Sequence, residues 1–195
     1  MPRVIYYTAS TLNGFLADAH DSLDWLFVVE QAQDGFPAFI EGIGAIVQGS
    51  TTYEWVLAHE DLLAHPEKWP AFYGARPTWV FTSRRLPGVT GADVRFAAGS
   101  VRDAWPAIAE AAGDRDVWVV GGGDLVGQFD DAGLLDEIRM QIAPVTLTAG
   151  RPVLPRNIDS TRLRLEAVAQ NGQFAELQYR VRHPESAAAS GARGA

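Results

Sequence analysis

The sequence has no cysteine. Disulfides, thiolate metal sites and a cysteine nucleophile are therefore excluded, and the composition suits a cytosolic protein. Histidine is scarce: His20, His59, His65 and His183 are the only four. None makes an HExxH-like pattern, so no metal site is expected. The hydrolase elbow Gly-x-Ser-x-Gly is missing as well. Gly49-Ser50-Thr51-Thr52 comes nearest and lacks the second glycine. No apolar run reaches the ~18 residues that a membrane-spanning helix needs. The opening residues, Met1 to Tyr6, enter a strand pattern without the features of a signal peptide. Positive charge is in deficit, with 16 Lys and Arg against 24 Asp and Glu and a formal net charge of -8. A basic face for duplex nucleic acid is not expected from that balance.

What is present suits one globular domain. The chain has 195 residues, 47% of them hydrophobic, enough to bury a sizeable core. The domain is expected over residues 1–183. The Ala/Gly/Ser-rich residues 184–195 read as a disordered tail. Buried strands are predicted at Val4 to Ser10, Gly44 to Gly49, Thr78 to Thr82 and Asp116 to Val120, with a short strand at Asp93 to Phe96. Between them lie helical stretches: about Asp24 towards Gln33, Phe36 to Glu41, one opening at Ser50 or Thr51, and one capped by Ser100 that Pro106 weakens or kinks. Residues 58–76 read as loop. Ile138 to Ile142 alternates as a half-buried strand, and Leu163 to Ala169 with Phe174 to Arg182 forms a hairpin around Asn171-Gly172. Strand–helix units followed by a hairpin predict a mostly parallel sheet with helices on both faces and an antiparallel edge.

In such a sheet, ligands bind at the carboxyl ends of the strands. Three ends carry suitable residues. Val117-Trp118-Val119-Val120 runs into Gly121-Gly122-Gly123-Asp124, where glycines let another group approach and a following helix presents N–H groups to an anion. A plain strand-to-helix turn with no ligand gives the same local pattern. The second end is Gly49-Ser50-Thr51-Thr52, and the third is Ser83-Arg84-Arg85. Three anion-friendly ends suit a ligand with several phosphates, such as a dinucleotide. The pattern is not GxGxxG, so a standard Rossmann fingerprint is absent.

These residues carry a resemblance. The segment Val117 to Glu137, with Ala143-Pro144-Val145 and Gly150-Arg151-Pro152-Val153-Leu154, resembles the dihydrofolate-reductase-like superfamily. The branch it resembles contains the riboflavin-biosynthesis reductase domain and its stand-alone bacterial relatives. Gly49 to Glu54 is similar to that branch's G-R-x-T-Y-E segment, and Thr8 to Gly14 to its S-x-D-G strand end. The resemblance covers Val4 to His183. It implies a three-layer α/β/α fold, a homodimer and an NADPH-dependent reductase of a pterin-like or aminopyrimidine substrate. By the same likeness, Ala9 and Ser10 would lie near the nicotinamide. Gly49, Ser50, Thr51, Thr52, Ser83 and Arg84 would hold the adenosine half. Gly121, Gly122, Gly123, Asp124, Leu125 and Val126 would hold the pyrophosphate.

Two departures bear on chemistry. Ser50 replaces the branch's basic residue, which leaves Arg84 or Arg85 to meet a 2′-phosphate. Asn13 stands where the branch often has Asp, which makes Asp24 and Glu30 the next candidates for the proton donor. Trp25 sits where a substrate ring could stack. A reductase of an unrelated small carbonyl compound and a nucleotide-binding module without catalysis are the competing readings.

Overall fold

The computed structural model describes residues 1–30 and 35–183. Its strands are β1 (Val4–Thr11), β2 (Phe15–Asp18), β3 (Ile43–Gly49), β4 (Thr78–Phe81), β5 (Val94–Ala97), β6 (Asp116–Gly121), β7 (Leu135–Ala143), β8 (Gly150–Pro152), β9 (Leu163–Asn171) and β10 (Phe174–Val181). Its helices are α1 (Asp24–Phe27), α2 (Phe36–Glu41), α3 (Ser50–His59), α4 (Trp69–Tyr73), α5 (Val101–Ala112) and α6 (Gly123–Asp131). Eight strands form one sheet in the order β5-β4-β3-β6-β1-β7-β10-β9. All neighbours from β5 to β7 are parallel; β10 is antiparallel to both β7 and β9. The mostly parallel three-layer sheet with a C-terminal hairpin is thus the observed architecture.

The central strands are apolar because both of their faces are covered. On one face, α5 and α6 pack on Ala45, Val47, Val117, Val119 and Leu135. On the other, α2, α3 and α4 enclose Ile5, Ile46, Val80 and Trp118 with Phe39, Tyr53 and Trp69. A third, smaller cluster joins Trp25, Ala143 and Phe174. Close packing leaves no room for a side chain at Gly44, where a Cβ would lie 2.2 Å from the Ala112 carbonyl oxygen.

Several local expectations change. The loop after β1 contains β2, which pairs with β8 in a separate two-stranded ribbon. The helix beginning at Asp24 is a single turn ending at Phe27. Gln33, where the sequence pattern ends it, lies outside the described residues, as does the tail 184–195. Residues 58–76 are not all loop: a 3₁₀ turn, Pro66–Lys68, leads into α4, where Trp69 and Tyr73 bury against the sheet. The N-cap of α3 is Gly49, not Ser50 or Thr51, with no side-chain cap. Ser100 does cap α5, accepting from the Asp103 N–H at 3.2 Å, and the helix runs unbroken through Pro106. Among the described residues no helix is long and apolar enough to cross a membrane, and no group of His, Asp and Glu is placed to hold a metal ion.

Candidate active site

The carboxyl ends of β1, β3 and β6 open into a cleft of about 610 Å³. Its floor is Thr8 and Ala9 of β1 with Val120 and Gly121 of β6. One wall is Thr51, Thr52, Trp55 and Val56 of α3, with Tyr73 of α4 behind. The start of α6 contributes Gly123 and Asp124. The ribbon β2–β8 and α1 close the front with Leu16, Asp21, Trp25 and Arg151.

The glycines give this cleft its shape. Gly121 holds a φ of +146°, which side chains rarely adopt, and its peptide to Gly122 is cis. A Cβ on Gly49 would lie 3.6 Å from the Gly121 oxygen and the Gly122 nitrogen, so the ends of β3 and β6 pack directly together. Gly123 abuts the chain after β8, with the Val153 and Pro152 oxygens 2.5 and 2.6 Å from where its Cβ would be. Gly122 differs: nothing lies within 4 Å of its virtual Cβ. Gly122 is also the N-cap of α6, whose first intrahelical bond runs from the Val126 N–H to the Gly122 oxygen at 3.2 Å. The N–H groups ahead of Val126 therefore lack helical partners and, with the helix dipole, favour an anion.

Each charged group in the lining is paired. Arg151 donates through Nε and Nη2 to both oxygens of Asp21, at 2.5 and 2.9 Å. That bond holds the Asp21 carboxyl below its ordinary value, although burial pushes the other way. Asp21 also holds a positive φ of 62°, an unusual setting for a residue with a side chain. Asp124 accepts from Arg156 at 3.2 Å and from Gln128 at 3.0 Å. Burial raises the Tyr73 phenol, with the Glu60 charge adding to the effect, so it stays neutral. The Trp25 Nε1–H is used too, donating to the Leu16 carbonyl at 3.2 Å.

Of the sequence candidates, the cleft gathers Ala9, Trp25, Thr51, Thr52, Gly121, Gly122, Gly123 and Asp124. Gly49 lies just beneath. Ser10 is 2% exposed and its hydroxyl donates to the Thr11 carbonyl, away from the lining. Ser50 is half-buried at the head of α3, and Leu125 and Val126 pack into the core. Ser83 is exposed beyond the cleft rim. Arg84 forms a bidentate ion pair with Glu54 of α3, which ties the third strand end to that helix.

The proton-donor candidates are displaced. Asp24 and Glu30 are exposed and outside the lining. The single-turn length of α1 is the reason, because it does not carry Glu30 along a continuous helix face. Asn13 is a structural bracket: its side chain accepts from the Thr11 hydroxyl and the Leu147 N–H and donates to the Leu147 carbonyl at 2.6 Å. Sequence reading missed Asp21, Arg151, Trp55 and Tyr73. Arg151 lay within the quoted Gly150-Arg151-Pro152 segment, and Trp55 follows Gly49 to Glu54 directly. No local pattern showed that residues 21 and 151 would meet.

An apolar, aromatic-walled cleft at the carboxyl edge of a parallel sheet, with a glycine cradle and a helix N-terminus, is where an open α/β fold places its ligand. The family model of the RibD C-terminal domain matches residues 2–174, and the chain belongs to that family. It is 28% identical over 179 residues to the uncharacterized protein YwjB of Bacillus subtilis (strain 168), spanning 91% of this chain and 97% of that one. Among solved structures it is similar to a candidate riboflavin biosynthesis protein of Shewanella sp. PV-4, with TM-score 0.76 and 22% identity over 94% of this chain and 100% of the other. It is also similar to the diaminohydroxyphosphoribosylaminopyrimidine deaminase/5-amino-6-(5-phosphoribosylamino)uracil reductase of Thermotoga maritima, with TM-score 0.63 and 18% identity over 93% of this chain and 57% of that one. A pyrimidine reductase-like protein of Corynebacterium diphtheriae gives TM-score 0.60 and 16% identity over 93% and 92% of the two chains. These structural likenesses establish a common fold.

Proposed function

We propose that the chain is a reductase that uses NADPH to deliver hydride to a heterocyclic substrate of the pterin-like or aminopyrimidine class. The observation that carries this reading is the cradle at Gly121 to Gly123. It has open space above Gly122, faces the Thr52 side of α3, and belongs to a chain of the RibD C-terminal domain family. A phosphate group would fit that space, held by N–H groups of α6 and by the Thr51 and Thr52 hydroxyls. Bound NADPH would supply the hydride and its electron pair to a C=N or C=O carbon. The neighbouring nitrogen or oxygen then gains a proton.

The residues of this chain position and shield. Thr8 and Ala9 set the floor against which a nicotinamide would lie. Trp25, Leu26, Trp55 and Val56 exclude water, which strengthens each electrostatic contact at the reacting carbon. Asp21 is held ionised by Arg151, and Asp124 accepts hydrogen bonds from Arg156 and Gln128. A single water molecule admitted with the substrate would supply the proton.

Consumption of NADPH in the presence of a panel of pterins and aminopyrimidines tests the reading. Oxidation by at least one member supports it. Tight NADPH binding with no hydride loss to any member favours the non-catalytic module. Arg84 supplies a charge for the 2′-phosphate once released from Glu54, so Arg84→Ala should weaken NADPH more than NADH. The same reading includes a homodimer formed through β9, an edge strand with Leu165 50% and Val168 63% exposed. Light scattering should then give twice the chain mass, and Val168→Lys should halve it.

A further inference from the structure

We propose that Trp55 determines substrate choice, its indole serving as a fixed platform for a planar conjugated ring, with His59 bracing it as a positioning residue. The proposal rests on the reductase reading above and narrows it to flat heterocycles.

Trp55 lines the cleft from α3, together with Ala9 of β1. His59 follows one turn later on the same helix, and four-residue spacing puts the two rings one above the other. Their centroids are 4.4 Å apart with planes 14° from parallel. Phe27 of α1 stacks on His59 beside Trp55, 4.8 Å from the imidazole at 12° and 6.2 Å from the indole at 8°. His59 and Phe27 do not line the cleft. The indole surface that His59 and Phe27 leave uncovered is what Trp55 can offer to the cleft.

Three nearly parallel rings drawn from two elements restrict the indole to one plane. Ordering that a flexible wall would undergo on binding has already taken place. The other aromatic groups of the lining do not duplicate this surface. Trp25 is 9% exposed and hydrogen-bonded to Leu16, and Tyr73 is 5% exposed and packed at 4.6 Å on Trp69. A planar ring gains from stacking on a fixed indole, whereas a saturated carbonyl compound offers no π-face. The device therefore separates the two enzymatic readings considered for this chain.

Lumazine, a planar pteridinedione with its own fluorescence, is a suitable probe. Its affinity is measured on protein saturated with NADP⁺, so that no turnover occurs. Trp55→Ala should weaken lumazine by at least about tenfold. Trp55→Phe should recover most of that loss, and both variants should keep the wild-type affinity for NADP⁺. His59→Ala should weaken lumazine by a smaller factor, and His59→Phe should restore it, since a ring is what the brace requires. Equal lumazine affinity in wild type and Trp55→Ala would overturn the platform, as would no lumazine binding to the NADP⁺-saturated wild type. Equal affinity in wild type and His59→Ala would remove the brace. Failure of the wild type to bind NADP⁺ strikes instead at the reductase reading, so the two failures are distinguishable.

Discussion

Glycines at the strand ends and helix contacts separate into those that cannot accept a side chain and those that can. At Gly44 the Ala112 carbonyl blocks any Cβ, and at Gly123 two carbonyl oxygens do so. Gly44→Ala should destabilise the protein by about 1–3 kcal/mol in denaturant unfolding, the usual cost of an overpacked contact. Gly122 has φ -72° and ψ 174°, an ordinary extended conformation, and open space around it. A methyl there should cost little stability and intrude only on a ligand. The sequence showed three glycines in a row and nothing to rank them, because the ranking depends on β3 and the chain after β8, which arrive from distant positions. The Asp21–Arg151 pair shows the same limit. Asp24, three residues along, stands out through the likeness of Asp24-Trp25 to the entrance of a reductase helix; Asp21 meets its partner on β8 only in the fold.

At the scale of elements, the apolar strands were legible because strands buried on both faces read as short β-branched runs. Residues 43–49, 78–81 and 116–121 follow that rule. The hairpin was legible from Asn171-Gly172 and its alternation. The extent of α1 was not, since one turn of helix is decided by what holds it. Trp25 of α1 packs with Phe174 at the tip of the hairpin, Ala143 and Leu147, and the Gln173 N–H donates to the Glu30 carbonyl at 3.1 Å. The hairpin tip is thus the support of the front wall of the cleft. Phe174→Ala should cost about 3–5 kcal/mol in unfolding measurements, the range for a buried Phe truncation. It should also weaken lumazine binding while leaving NADP⁺ affinity near wild type, because α1 touches only the front of the cleft.

The whole molecule carries an excess of carboxylates, several of them held ionised by the fold. Asp18 is kept below its ordinary value by backbone N–H groups of Ser22 and His20, Asp21 by Arg151, Asp93 by Arg95 and Asp159 by Thr161. A carboxyl that is more acidic folded than unfolded stabilises the fold above its unfolded value and ceases to do so as pH falls through the folded one. The unfolded chain binds more protons in that interval, so stability rises with pH there. Melting temperature should therefore decline below about pH 4 and be insensitive to these groups near neutrality. Calorimetry across that range checks it; a melting temperature that rises on acidification would contradict the assignment.

In the proposed function the cradle at Gly121 to Gly123 holds a nicotinamide dinucleotide at the carboxyl edge of the sheet. Calorimetric titration of NADPH into wild type and Gly122→Ala tests it most directly. Wild type should bind one NADPH per chain, and Gly122→Ala should bind at least about tenfold more weakly, equivalent to ~1.4 kcal/mol, with its melting temperature almost unchanged. No saturable binding of NADPH or NADH to wild type, or equal affinity in both proteins, would contradict it.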